Sequence, residues 1–272
     1  MKKLLQLTLL LVAILVPATS GAYNFKVDNI YYRITSENEV AVTYKSFYNG
    51  GDDYFDEWYS DYTGDIVIPP YVTYNGNTYS VTSIEYHAFE DCSGVTSLTI
   101  PITMKSIDNL SDCTGIKELT WNARYCSLWG LNASNIEKVT IGNEVELLPS
   151  GFVQDSKITS IVIPNSVTFI GDNAFNDCTN LTSITFSNSL THIGSNAFTG
   201  TAWYNNKPNG MVYAGWVALG YKGTMPSGTS ITIANGTQAI ADCAFSGCSN
   251  LSSITIPNSV TTIGYSTFNN CI

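Results

Sequence analysis

The chain has little charge and almost no histidine. Only 12% of its 272 residues are charged, and 22 acidic residues against 12 basic ones give a net charge of -10. Nucleic acids and acidic lipid surfaces both attract proteins that carry a basic footprint. The composition therefore argues against both kinds of partner.

Long hydrophobic runs are also missing after residue 22. The one such run, Leu4–Val16, follows two lysines and precedes small residues that end at Ala22. It is short for a membrane span, so residues 1–22 are predicted to be a signal peptide that is cleaved after Ala22. A membrane anchor is the alternative, but no cysteine follows the run to carry a lipid. We therefore expect an exported protein, either secreted or held at the cell surface.

The rest of the chain is dominated by a repeat. The string LTSITIPNSVTxIGxxAFxxC recurs, with variations, at residues 158–178, 181–198, 229–248 and 251–271. Ile161 and Ile184 are 23 residues apart, and so are Phe175 and Phe198. A fixed period of this size predicts a solenoid, in which each coil buries its apolar face against its neighbours.

A single coil predicts its own local structure. Ile161 and Ile163 alternate with outward positions, as in a short strand, and Pro164 ends that strand because it has no N–H for a ladder. Gly171 permits a bend, and the residues around Phe175 have the spacing of one short helical turn. The predicted fold class is therefore a mainly β, right-handed solenoid with short helical turns and a parallel strand face.

These strings resemble the BspA-type leucine-rich repeat family of bacterial secreted and surface proteins. The resemblance covers most of the chain after about residue 65. It implies a leucine-rich-repeat horseshoe or slab that works by binding, and such relatives include adhesins for host and matrix proteins. It implies no catalytic residues.

Residues 23–64 do not follow the repeat and are predicted to form an N-terminal β cap. Residues 25–34 have the pattern of two strands around an Asp-Asn turn, and residues 40–44 of a third strand. A cap is expected because a bare terminal repeat exposes apolar surface. Acidic and aromatic residues are then interleaved over residues 52–62. We interpret them as a variable solvated loop, and the alternative is a contact loop assisted by calcium.

The solenoid is expected to fill residues 65–272, with coils of unequal length. The successive strand positions are Leu98, Leu119, Val139, Ile161 and Ile184. Their spacing falls to 20 residues at its shortest, so the coils near residues 105–155 are short and degenerate. Residues 201–228 interrupt the pattern and are predicted to be a β-hairpin insertion. No closing cap is recognisable before Ile272, so we expect a partner to cover the last coil or the array to continue.

Seven cysteines invite a metal or disulfide interpretation. Five of them share one repeat position: Cys92, Cys113, Cys178, Cys248 and Cys271. Zinc ligands usually come in close sequence pairs, whereas these come one per coil. We therefore expect a column of small, buried, free thiols and no metal site. Cys243 and Cys248 are the best disulfide candidate, and Cys126 has no assigned place.

The two histidines do not form an active site with each other. His87 and His192 are expected about five coils apart, or roughly 24 Å at strand spacing. No Ser-His-Asp or Cys-His set can be assembled around either one. We predict that the protein is not an enzyme and uses no cofactor.

The strand face is the first candidate binding surface. The outward position after each buried strand residue is held by Thr99, Thr120, Thr140, Val162, Thr185, Thr232 and Thr255. β-branched residues pack well on strands, and that alone accounts for most of this pattern. The face is flat and hydroxyl-rich, and its main charges, Glu118 and Lys138, are expected to be cross-strand neighbours. It suits a protein or a glycan held through many small contacts.

The hairpin is the second candidate surface. We expect it to expose five aromatic residues: Trp203, Tyr204, Tyr213, Trp216 and Tyr221. Exposed aromatics are the usual anchors of protein interfaces. Deleting residues 203–224 is therefore expected to spare the fold and to weaken binding.

These surfaces lead to three functional hypotheses. The first is recognition of an extracellular protein, such as adhesion to a host or matrix protein, through the strand face and the hairpin. The second is glycan binding by the same aromatic residues. The third is a passive spacer within a longer surface protein.

Overall fold

The computed structural model describes residues 23–48 and 57–271, which form a β-solenoid of about eight turns. The predicted signal peptide and residues 49–56 lie outside the described residues. The rest of the acidic and aromatic stretch is described: residues 57–59 form a strand and Tyr62 is buried, so this part is not the solvated loop that was expected. Helix α1 (Ala202–Asn205) has four residues. Across the described part of the chain, no helix has the length and apolar character that a membrane crossing requires.

Short strands make up nearly all of the regular structure. The first eight are β1 (Phe25–Val27), β2 (Ile30–Ile34), β3 (Glu39–Val42), β4 (Ser46–Tyr48), β5 (Glu57–Tyr59), β6 (Gly64–Val67), β7 (Tyr71–Tyr74) and β8 (Asn77–Ile84). The next eight are β9 (Val95–Ile100), β10 (Ser106–Ile107), β11 (Glu118–Trp121), β12 (Ser127–Leu128), β13 (Lys138–Ile141), β14 (Leu147–Leu148), β15 (Ser160–Val162) and β16 (Phe169–Ile170). The last eight are β17 (Ser183–Thr185), β18 (His192–Ile193), β19 (Gly210–Ala214), β20 (Val217–Lys222), β21 (Thr229–Thr232), β22 (Ala239–Ile240), β23 (Leu251–Thr255) and β24 (Thr262–Ile263).

The predicted strand positions form one side of the solenoid, here called the first sheet. It consists of the parallel groups β6–β9–β11–β13, β15–β17 and β21–β23. Leu119 pairs with Leu98 on one side and with Val139 on the other, and Ile161 pairs with Ile184. The predicted register is therefore confirmed across turns of 20, 21 and 23 residues.

A second side of the solenoid, here called the second sheet, is made of two-residue strands and the ends of longer ones. Its parallel groups are β8–β10–β12, β14–β16–β18 and β20–β22–β24. Ile170, for example, pairs with Leu148 and Ile193. The sequence indicated an apolar position here but no strand, because two residues are too few to show an alternating pattern.

The core consists of side chains stacked at the repeat spacing. The rings of Phe175 and Phe198 lie 5.4 Å apart and nearly parallel, and those of Phe245 and Phe268 lie 5.6 Å apart. Phe89 stacks on Tyr62 instead. The segments predicted as short helical turns are hydrogen-bonded turns that lack helix, although they face inward as expected.

The repeated Ile-Gly pair has a steric reason. A Cβ placed on Gly171 would come within 2.5 Å of the backbone nitrogen of Ser150 in the preceding turn. On Gly194 it would come equally close to the nitrogen of Asp172. Side chains essentially never approach backbone this closely, so only glycine lets the turns stack at this corner.

The N-terminal strands extend the second sheet. Strands β1, β2 and β3 are antiparallel, and the turn between β1 and β2 places Asp28 and Asn29 at φ of 47° and 64°. This is the type I′ geometry of a tight hairpin, and it confirms the predicted strands. Strand β3 then pairs in parallel with β8. The boundaries of a separate cap at residues 23–64 stay a prediction.

The hairpin of residues 201–228 is built into the solenoid. Strands β19 and β20 are antiparallel, and β20 then pairs in parallel with β22 through Val217 and Ala218. The start of β20 thus supplies the second-sheet strand of its turn. This pairing argues against the expectation that residues 203–224 can be deleted without loss of the fold, because deletion removes that strand.

One degenerate coil carries a valine where the regular repeat has phenylalanine. Val153 takes the position that Phe175 holds in the next turn. The Val153 N–H donates to Ala174, and Asp155 donates to Asn176 in the next turn. Phe152 instead packs edge-on against Trp121 and Phe175.

Candidate binding surfaces

The outward side of the first sheet brings the predicted hydroxyl residues together in rows. Thr120 lies between Thr99 and Thr140, and Thr232 lies beside Thr255. Thr140, Thr185, Thr232 and Thr255 are exposed, whereas Thr99 and Thr120 are half-buried. Two valines at equivalent positions, Val67 and Val162, are each 64% exposed. The surface therefore mixes hydroxyl and methyl groups and projects into solvent.

The charges on this face are largely compensated locally. Lys138 and Glu118 pair at 2.8 Å across β11 and β13, as their predicted register requires. Asp65 accepts hydrogen bonds from the hydroxyls of Ser97 and Thr96, which lower the pKa of its carboxyl. An exposed pair of this kind adds little to stability. Because Lys138 and Glu118 neutralise each other, the face presents little net charge to a partner.

The hairpin aromatics are less exposed than predicted. Of the five, Trp216 is exposed, at 46%, and the other four are half-buried. Trp203 packs edge-on against Phe186 and Phe198 at ring distances of 5.2 and 5.6 Å. The expectation that the hairpin displays all five rings is therefore wrong. Trp203 fills the rim of the core at the point where the hairpin leaves the stack.

The structure divides the remaining hairpin aromatics between two places. The Tyr213 hydroxyl accepts a hydrogen bond from the N–H of Ala234, just after β21. The Trp216 ring lies against Gly236 in the same turn. These two residues thus border the end of the first sheet.

Tyr204 and Tyr221 line a crevice of about 230 Å³ on the other side of the hairpin. The Lys222 ammonium donates hydrogen bonds to the carbonyls of Tyr204, Asn205 and Lys207, which ties β20 to helix α1 and the residues after it. The crevice is small, and its tyrosines are held in place by the helix and the hairpin.

A third surface was not predicted as a site. The second sheet is interrupted between β12 and β14, and a groove of about 730 Å³ opens there. Trp129 and Tyr125 line it and are 69% and 56% exposed. The sequence did carry one signal of this groove, namely the short and degenerate coil. A coil with fewer residues leaves a gap between itself and the next turn.

The cysteines are free thiols, most of them enclosed. Cys92, Cys113, Cys126 and Cys178 are buried, and no disulfide is formed among the described residues, so Cys243 and Cys248 are not paired. Burial raises the pKa of the Cys92 thiol to about 11 and that of Cys126 to about 12. These thiols stay protonated near neutral pH and behave as small apolar side chains.

The cysteine column also makes contacts from turn to turn. The Cys178 thiol donates to the carbonyl of Val153 at 3.1 Å, and the Cys271 thiol to that of Phe245 at 2.9 Å. In residues 23–48 and 57–271, no three His, Cys, Asp or Glu side chains are grouped so as to hold a metal ion.

The two histidines have separate surroundings. His87 lies 2.7 Å from the Glu90 carboxylate. His192 stacks on Phe169 and lies 3.1 Å from Asp242.

A family model described as a BspA type leucine rich repeat region matches the chain in six copies, over residues 74–152, 126–207 and 221–272. The chain belongs to the BspA-type leucine-rich repeat family. The BspA-type repeats therefore include the short coil and its groove. Residues 208–220, between two matched ranges, hold most of the β19–β20 hairpin.

Solved structures with similarity to this BspA-type chain are also leucine-rich repeat proteins. One from Bacteroides ovatus is 24% identical, with a TM-score of 0.37, over 92% of this chain and 69% of that one. The T. pallidum leucine rich repeat protein is 17% identical, with a TM-score of 0.47, over 87% and 92%. A leucine rich cell surface protein from Faecalibacterium prausnitzii is 18% identical, with a TM-score of 0.28, over 90% and 73%. No curated protein matches the chain.

Proposed function

We propose that this protein is exported, stays at the cell surface or is secreted, and recognises an extracellular protein through the outward side of its first sheet. Membership of the BspA-type family supports a repeat-module role. The N-terminal pattern of two lysines and an apolar run supports export. The protein acts by binding, without catalysis and without a cofactor.

The observation that carries this proposal is the row of outward residues on the first sheet. Thr140, Val162 and Thr185 are exposed on three consecutive turns, and Thr232 and Thr255 continue the row after one turn that has no strand in this sheet. Each is held by a parallel ladder. A rigid surface loses little conformational entropy on binding. Its mixture of methyl and hydroxyl groups with little charge suits a protein surface of similar composition, as in ordinary interfaces.

Trp216 extends this surface at one corner. Its ring is exposed and lies beside the turn that follows Thr232. Tryptophan is enriched among residues that dominate binding energy. In this proposal Trp216 is the anchor, and the half-buried rings of the hairpin support it.

The test is capture of extracellular proteins by the full chain and by two double variants. Thr185→Arg with Thr232→Arg places two bulky cations on the first sheet and should abolish specific capture. Thr191→Arg with Thr261→Arg changes two exposed threonines that flank the second sheet, and should leave capture unchanged. Equal capture by both variants would refute the role of the face, and no capture by the parent chain would favour a passive spacer.

Export has a separate test. In the native host, the mature protein should be recovered outside the cytoplasm with Tyr23 as its first residue. An N-terminus at Met1 on a cytoplasmic protein would contradict this part of the proposal.

A further inference from the structure

We propose that the groove between β12 and β14 binds an uncharged oligosaccharide. This would be a second site, on the second sheet, independent of protein recognition by the first. The inference rests on the break in the stack, the exposed rings, the unused polar groups and the charge balance of the groove.

The groove exists because one turn of the stack is short. The residues from Leu119 to Val139 make a turn of 20 residues, against 23 in the regular repeats. Backbone hydrogen bonds join this turn to the next at Arg124 and again at Ile136. Between these two points, no backbone hydrogen bond crosses the gap in the described chain. The edges of β12 and β14 therefore face each other unpaired.

Two exposed aromatic rings stand at this gap. The ring of Trp129 is the more exposed, at 69%, and Tyr125 follows at 56%. The Tyr125 hydroxyl is hydrogen-bonded to the Glu146 carboxylate, which also pairs with Arg124. These contacts fix the Tyr125 ring before any ligand arrives. Aromatic faces exposed in this way provide flat apolar platforms, and the C–H faces of pyranose rings stack on such platforms.

Polar side chains with unused hydrogen-bonding capacity line the same groove. Gln154, Asn173 and Ser150 contribute to its walls, and their side chains make no hydrogen bond within the described residues. Amide and hydroxyl groups both donate and accept. They match sugar hydroxyls, which also do both.

The two charged side chains that line the groove already have partners within the protein. Lys105 pairs with Glu39, and an oxygen of Asp172 accepts the N–H of Ser195. Among the described residues, Lys105 is the one cation in the lining of the groove, so no cation cluster is present there to hold a sulfated or sialylated sugar. The protein as a whole is acidic. The groove therefore favours an uncharged ligand.

The size of the groove also fits a short oligosaccharide. Its lining extends from Lys105 in the turn of β10 to Phe169 in β16, which is four turns or roughly 14 Å at strand spacing. A peptide strand would be a poorer occupant. Strands β12 and β14 have two residues each, so an added strand would gain few backbone hydrogen bonds.

The test is titration of the full-length protein with linear trisaccharides of glucose, mannose, galactose and N-acetylglucosamine. Binding is followed by tryptophan fluorescence and by calorimetry. At least one of these sugars should bind, and its affinity should not change between low and high salt. Trp129→Ala should reduce that affinity by about tenfold or more, since it removes the stacking platform, and Gln154→Ala should reduce it less.

Two controls separate this site from the others. Trp216→Ala removes a second exposed tryptophan of the described chain and should leave sugar binding unchanged. Thr185→Arg with Thr232→Arg, which should abolish protein capture, should also leave it unchanged. The inference is overturned if none of the trisaccharides binds, if Trp129→Ala binds as the parent does, or if only charged glycans or peptides bind.

Discussion

Phe175 shows what a single side chain contributes to this stack. Its ring is fully buried, stacks on Phe198 and meets Phe152 edge-on. The neighbouring turns are held by their own ladders and cannot close around a missing ring. A cavity would therefore remain in the middle of the solenoid.

Phe175→Ala should lower the free energy of unfolding by about 3–5 kcal/mol. Urea unfolding followed by circular dichroism measures this change. Tyr265→Ala is the control, because its side chain is 81% exposed and should change stability by less than about 0.5 kcal/mol. Similar values for both variants would contradict the stacked core.

Gly194→Ala tests the steric requirement at the corner of a turn. The new Cβ would lie 2.5 Å from the Asp172 nitrogen, so two backbones would have to separate. We expect a loss of about 1–3 kcal/mol, as for other overpacked sites. Gly94→Ala is the matched control, because there the nearest atom is a methyl carbon of the exposed Thr63 side chain, which can rotate away. Equal melting temperatures for the two variants would refute the argument.

At the scale of elements, the β19–β20 hairpin is part of the repeat array and not a separate insertion. Strand β20 begins with Val217 and Ala218, which pair with Ala239 and Ile240 in the second sheet. The rest of β20 pairs back on β19. One strand therefore serves both the insertion and the stack.

Deletion of residues 203–224 should consequently unfold the last turns of the solenoid. Thermal melting should show a lower and broader transition, because β22 loses its parallel partner and Trp203 leaves the rim of the core. Trp216→Ala, which removes an exposed ring from the same hairpin, should melt like the parent. A deletion variant with an unchanged melt would show that the hairpin is only appended.

The elements differ in how far the sequence could predict them. The first sheet was predictable because Ile161 and Ile184 repeat in strands of several residues between recognisable turns. The second sheet was not, since strands such as Phe169–Ile170 are too short to have a period of their own. The role of Val217 was hidden because residues 201–228 depart from the repeat string, so no aligned position marks Val217 as a strand residue. The groove at Trp129 could not be predicted either, because it is the space left between two neighbouring turns and no residue pattern marks it.

At the scale of the whole molecule, the solenoid presents two different sides. The first sheet offers an extended surface of small hydroxyl and methyl groups, and the second sheet is broken by a groove with exposed rings. Each side is held in place by parallel ladders, so binding on one side need not disturb the other. The two proposed sites, one on each side, are consistent with a protein whose role is recognition.

The central claim is that the outward side of the first sheet recognises a protein. Hydroxyl-radical footprinting of the full chain, free and in complex with a captured partner, tests it most directly. The account predicts that Val67, Val162 and the exposed threonines of the first sheet lose reactivity in the complex, while Trp129 and Tyr125 keep theirs. Protection confined to the second sheet, with Val162 as reactive as in the free protein, would contradict the account.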